Sequence, residues 1–163
     1  MGTQSGKLLD VDLSSGTIST RVLDEKVLRD YIGGSGLAAK LFVDDGVPVD
    51  CDPLGTKNNL YFITGALTGS GFPATPRFAA AAKAPLTGIW GEANCGGFFG
   101  PALKFAGWDG IVVRGQSHDP VLLIIEDGKA RLQEASDLWG KDTYETVGAL
   151  EEQLGGKPEV RVI

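Results

Sequence analysis

The chain has 163 residues, 24 of them glycine, with a formal net charge of −6 and 42% hydrophobic residues. That length is one ordinary domain able to bury a sizeable core, and the apolar share argues against wholesale disorder. Glycine without a Gly-X-Y period excludes collagen, and the excess of acid disfavours a nucleic-acid partner or an anionic membrane surface.

The elements follow in chain order. Residues 7–13 and 17–22, joined through Ser14-Ser15-Gly16, predict a β-hairpin. Asp24 offers an N-cap for a helix over 25–32. Gly33 to Gly36 interrupts, and a second helix is expected over 37–44, followed by a Pro/Asp/Gly-rich connection over 45–58. Residues 60–64 read as a buried strand, 65–76 as a Gly/Thr/Pro loop, and 78–83 as a strand weakened by its alanines. Residues 84–100 read as a glycine-rich loop and 98–106 as a short helix with Pro101 in its first turn. A strand over 110–114 precedes a second hairpin, 121–125 and 130–132, turned at Asp127-Gly128. Ser136 opens a short helix containing Leu138-Trp139. Residues 143–154 predict an amphipathic helix with Val147, Leu150 and Leu154 on one face, stopped by Gly155-Gly156. The last four residues, 160–163, read as an apolar strand.

Each hairpin is followed by a helix and a Gly-Gly pair. Between the hairpins stand two near-identical tetrapeptides, Ala66-Leu67-Thr68-Gly69 and Pro85-Leu86-Thr87-Gly88. The expected fold is α+β and β-rich: two related sheet lobes, an internal duplication, with short helices. The terminal apolar strand suggests that residues 1–163 form one domain cut short at its C-terminal end.

The apolar runs are all too short for a transmembrane helix, and residues 1–5 show no signal-peptide pattern. Cys51 and Cys95 build no disulfide framework, which points to a cytoplasmic protein. His118, the one histidine, lies in a polar run that reads as a solvated loop, which leaves no Ser-His-Asp triad or His-rich metal site.

Gly34-Ser35-Gly36-Leu37-Ala38-Ala39 matches G-x-G-x-x-A, yet it follows a helical segment rather than a strand, so it reads as a turn joining two helices. Residues 91–101 place Asn94, Cys95, Gly96 and Gly97 before a helix. Bare backbone there suits an anion, and a plain tight turn explains the pattern equally. Arg77, without an acid nearby in sequence, is either a surface arginine or a partner for an anion or heteroaromatic group. Both cysteines read as small apolar filler, and Trp90, Trp108 and Trp139 as core or interface packing.

The blocks Gly33 to Leu41, Asp52 to Gly55, Thr64 to Gly69, Lys83 to Gly88, Ala93 to Gly100 and Leu103 to Gly110 together resemble the N-terminal domain of tungsten-containing aldehyde ferredoxin oxidoreductases. The resemblance covers essentially the whole chain in order. It implies a β-rich base of two related sheets under a tungsten (or molybdenum) bis-pterin. The enzyme so built oxidises an aldehyde to a carboxylate and passes electrons through a four-iron cluster to ferredoxin.

By the same resemblance, Arg77 lies between pterin and cluster. The main-chain carbonyl of Asn94 helps hold a magnesium ion bridging the pterin phosphates, and Gly96 and Gly97 bring backbone to the cofactor. Cys95 replaces the usual serine, which puts a hydroxyl role there in doubt. Cluster cysteines and catalytic groups are expected from downstream domains, so no catalytic residue is expected in this chain and the chain alone is expected to be inactive. Ferredoxin and a homodimer of the full enzyme are the implied partners. A same-family subunit of benzoyl-CoA-reductase type and a non-catalytic assembly module are the alternatives.

Overall fold

The computed structural model describes residues 4–155 and 161–163. Strand β1 (Lys7–Asp12) turns back into β2 (Thr17–Val22) with Leu9 opposite Thr20. Helix α1 (Glu25–Tyr31) starts at Asp24, whose carboxylate accepts the Lys26 N–H, as the sequence predicts. Helix α2 (Gly34–Asp44) begins at Gly34 rather than Leu37 and buries Leu37, Ala38 and Leu41. Then come β3 (Leu60–Thr64), β4 (Phe78–Lys83), β5 (Trp90–Cys95), α3 (Phe99–Phe105) and β6 (Gly110–Arg114). Strands β7 (Val121–Glu126) and β8 (Lys129–Glu134) form the second hairpin, and a 3₁₀ turn (Ser136–Leu138) leads to α4 (Thr143–Gln153). Among the described residues no helix is long and apolar enough to cross a membrane.

Six strands form one mixed sheet in the order β2-β1-β6-β3-β4-β5, with β1 and β6 parallel and the other pairs antiparallel. Strands β7 and β8 form a second, two-stranded sheet, turned at Asp127 and Gly128, which both have positive φ as a two-residue hairpin turn of that hand requires. The architecture is α+β and strand-rich, as expected. The two hairpins differ in setting: the first is built into the large sheet, the second stands apart.

Both faces of the large sheet are covered. Alternation sends Leu8, Tyr61, Ile63, Ala81 and Val112 toward Leu37, Ala38 and Leu41 of α2. It sends Leu9, Val11 and Ile111 to the opposite face, against Leu103 of α3, Trp108 and the β7–β8 hairpin through Leu123, Ile125 and Leu132. At the far end of the sheet, a polar group on the α2 face ties five segments together. Arg21 pairs with Asp10 at 2.9 Å and with Asp45 at 2.8 Å, Arg114 also reaches Asp10, and the Tyr61 hydroxyl donates to Asp45 at 2.9 Å. Burial pushes the Asp10 carboxyl above its ordinary value in spite of Arg21, and burial raises the Tyr61 hydroxyl as well.

Four expectations change. Residues 90–95 are strand β5 instead of loop, because Gly91, Ala93 and Cys95 are small enough to pair along the alanine-rich β4. The segment around Leu138-Trp139 is a single 3₁₀ turn, and Trp139 is 79% exposed, so it is not part of the core. Cys95 is exposed, so it is no core filler, whereas Cys51 is buried. Finally, residues 161–163 form no strand and Ile163 is 59% exposed; Val160 and Gly156 lie outside the described residues.

Candidate functional site

The registers Thr64 opposite Phe78, Phe78 opposite Cys95 and Ile63 opposite Gly110 bring four strand ends to one end of the sheet. The glycine-rich connections therefore collect there: the turn before α2, the loop 65–77, and the link Gly96–Phe98 from β5 into α3. A Cβ on Gly33 would sit 2.7 Å from the Thr64 carbonyl oxygen, and a Cβ on Gly100 would sit 2.6 Å from that of Pro76. Only glycine lets the first residues of both helices pack this closely on the strand-to-loop backbone. This explains part of the glycine excess without any ligand.

The loop is held from below. The Thr68 side chain is buried, with its hydroxyl donating to the Arg77 carbonyl at 2.8 Å and accepting the Gly65 N–H at 3.1 Å. The Gly65 N–H also reaches the Arg77 carbonyl at 3.2 Å. Beside it, Lys104 and Asp109 form an ion pair at 2.6 Å with side chains only 5% and 3% exposed. Asp109 further accepts the Gly6 N–H at 2.6 Å, and its carbonyl accepts the Thr64 hydroxyl at 2.6 Å. A buried pair with this many additional hydrogen bonds is satisfied locally, so it fixes the sheet end and offers no charge to a ligand.

The sequence-derived candidates stand above this base. Arg77 directly precedes β4 and is exposed, with no side-chain partner among the described residues. Asn94 and Cys95 end β5, the edge strand, and both are exposed; the pleat sends them to opposite faces. Gly96 is half-buried and Gly97 is exposed with φ +81°, and a Cβ on either would meet nothing within 4 Å. The structure thus brings Arg77 and residues 94–97 to one corner of the sheet. Helix α3 has seven residues and its N-cap, Phe98, gives no side-chain cap, so the fixed positive charge of the corner is Arg77 rather than a helix dipole.

The corner offers an exposed guanidinium, an amide side chain, a thiol and bare backbone. Among the described residues no group of three or more His, Cys, Asp or Glu could hold a metal ion. His118 is almost fully exposed beside Asp119, remote in role from this corner. Sequence reasoning missed Thr68. The paired tetrapeptides were the available signal, but Thr68 is buried and Thr87 is exposed, a difference that the shared residues do not encode.

By fold the chain is a strand-rich α+β domain. It overlays on the solved active-site complex BamBC of benzoyl coenzyme A reductase with 1,5-dienoyl-CoA at a TM-score of 0.93 and 33% identity, covering 96% of this chain and 24% of that one. The family "Aldehyde ferredoxin oxidoreductase, N-terminal domain" matches residues 8–163, and the chain belongs to it. The tungsten-containing aldehyde ferredoxin oxidoreductase of Thermococcus kodakarensis is 41% identical over 150 residues, which is 92% of this chain and 25% of that protein. That of Pyrococcus furiosus is 38% identical over 152 residues, 93% of this chain and again 25% of that protein. An aliphatic sulfonate oxidoreductase, WOR-like subunit, from the same organism is 35% identical over 142 residues, 86% of this chain and 22% of that protein. The chain spans about a quarter of the length of these relatives.

Proposed function

We propose that this chain is the cofactor base of a longer tungsten (or molybdenum) oxidoreductase that oxidises aldehydes to carboxylic acids with ferredoxin as electron acceptor. One observation carries the reading: Arg77, without a side-chain partner among the described residues, and the open backbone of Gly96 and Gly97 meet at an exposed sheet corner in a chain of this family.

The residues present fit an anionic, bulky, flat cofactor. Glycine backbone that no Cβ crowds admits close approach, and the exposed Arg77 guanidinium offers paired N–H donors and a positive charge. Arg77 would hydrogen-bond the pterin and offset negative charge on the side facing the cluster. Asn94 would give its main-chain carbonyl to the magnesium ion, and Gly96 and Gly97 would meet the cofactor through backbone. Cys95 stands where a serine is usual, so it supplies bulk in place of a hydroxyl donor. When bound, the bis-pterin metal and the four-iron cluster supply the two-electron redox chemistry and its onward transfer. This chain's residues bind, orient and compensate charge.

Partners follow from the same reading: downstream domains supply the cluster cysteines and the groups over the metal, ferredoxin takes the electrons, and the full enzyme forms a homodimer.

The high likeness to BamBC favours one second reading, a subunit of benzoyl-CoA-reductase type. Producing the full-length protein with its cofactor separates the two. Aldehyde-dependent reduction of a viologen dye is expected for the aldehyde oxidase. Protein that keeps pterin and metal but reduces viologen with no aldehyde tested turns the assignment to the reductase. Protein that keeps neither cofactor nor metal overturns both and leaves an assembly module.

A further inference from the structure

We infer that Thr68 is a positioning residue for Arg77, an inference that rests on the reading of Arg77 given above. Arg77 lies at the end of a loop that leaves the sheet at Thr64 and returns at Phe78. Its side chain is exposed and has no partner among the described residues, so nothing at the guanidinium end fixes where it points. What fixes it is the peptide behind it. The Arg77 carbonyl accepts two hydrogen bonds, from the Thr68 hydroxyl at 2.8 Å and from the Gly65 N–H at 3.2 Å. The Thr68 hydroxyl in turn accepts the Gly65 N–H at 3.1 Å. These contacts close the loop into a ring and fix the peptide after Arg77; with Phe78 held in β4 on the other side of that peptide, they anchor the Cα from which the Arg77 side chain leaves.

Thr68 suits the task in both halves. Its hydroxyl is the only side-chain group hydrogen-bonded to that carbonyl among the described residues. Its methyl carbon lies 3.2 Å from the place a Cβ on Gly100 would take, so it also packs the loop on α3. A side chain 2% exposed that spends its one hydroxyl on this backbone has no solvent role. Thr87, its counterpart in the second tetrapeptide, is exposed and bonded to nothing of the kind, so the motif alone does not impose the arrangement.

The test uses the full-length, cofactor-loaded protein and reads the midpoint potential of its iron-sulfur cluster by redox titration, with tungsten content and thermal unfolding measured alongside. Thr68→Val keeps the shape and removes the hydroxyl; Thr68→Ala removes both without adding bulk; Thr68→Ser keeps the hydroxyl. The expected result is a shift in potential for Thr68→Val and Thr68→Ala in the same direction as for Arg77→Ala, with Thr68→Ser at the wild-type value. The Thr68→Val/Arg77→Ala double variant should match Arg77→Ala alone, since a residue acting through Arg77 has nothing left to act on. Should Thr68→Val fail to fold, Thr68→Ala gives the same reading. A wild-type potential in both Thr68 variants, beside a shifted Arg77→Ala, overturns the inference and leaves the reading of Arg77 intact. Additive shifts in the double variant overturn it too. An unshifted Arg77→Ala overturns the reading of Arg77 itself, and this inference with it.

Discussion

At the turn of the first hairpin, Asp12 accepts the Ser14 N–H at 2.8 Å and the Ser15 N–H at 3.3 Å, with Gly16 at φ +69° completing the reversal. Those N–H donors hold the Asp12 carboxyl below its ordinary value of 3.8. A carboxylate with a lowered native pKa binds fewer protons folded than unfolded, so stability rises with pH across that interval. Its contribution is complete above pH 3.8 and disappears as pH falls through the native value. Asp12→Ala should therefore lower the urea midpoint of the chain at pH 6, and the gap between wild type and variant should close toward pH 3. Equal gaps at the two pH values would mean that Asp12 acts by some route other than its charge. A neutral acceptor, Asp12→Asn, keeps the turn geometry and should show the same closing trend from a smaller starting gap.

The same economy of local hydrogen bonds operates between elements. Tyr61 of β3 is fully buried, donates to Asp45 beyond α2 and accepts the Asn59 amide at 3.2 Å. Asp45 also pairs with Arg21 of β2, which reaches Asp10 of β1. Tyr61→Phe leaves the ring in place and strips one hydroxyl from this network. The expected loss is about 1–2 kcal/mol in chemical denaturation, the cost of removing one hydrogen-bond partner from a buried polar group. No measurable loss would mean that Asp45 is satisfied without the tyrosine. This network was not legible in the sequence, because apart from Asn59 and Tyr61 its bonded pairs are separated by 11 to 104 positions and meet only once the sheet order is known.

The hairpins and helices were legible, because each carries local signals: Asp24 at a cap, Asp127-Gly128 at a turn, alternation along β1. Strand β5 was not. After Trp90 its residues are small, polar or glycine, and it is a strand only because β4 offers it an edge. The site shared that fate in part: Arg77 and residues 94–97 could be named from the sequence, but the corner that joins them exists only through the Phe78–Cys95 register.

For the whole molecule, the decisive quantity is the distance between the potential metal-binding thiols. Cys95 ends β5 opposite Phe78, at one end of β4. The carbonyl of Cys51 accepts from Nζ of Lys83, at the other end of β4. A strand advances about 3.3 Å per residue, so these two ends are on the order of 16 Å apart. No metal ion or four-iron cluster spans that gap with ligands at about 2.3 Å. Among the described residues no other cluster of His, Cys, Asp and Glu takes their place. On the proposed reading Arg77, Gly96 and Gly97 would address a cofactor's organic part and Asn94 its magnesium, none of them the tungsten or the iron, so they do not change the count. The 163-residue chain, purified and dialysed, should therefore carry far less than stoichiometric tungsten, molybdenum or iron by elemental analysis. It should stay that way after incubation with tungstate or with ferrous iron and sulfide, while remaining folded by circular dichroism. Stoichiometric, dialysis-resistant metal in that preparation would mean that the chain holds metal ligands of its own, and the assignment of the metal and cluster to downstream domains would have to be abandoned.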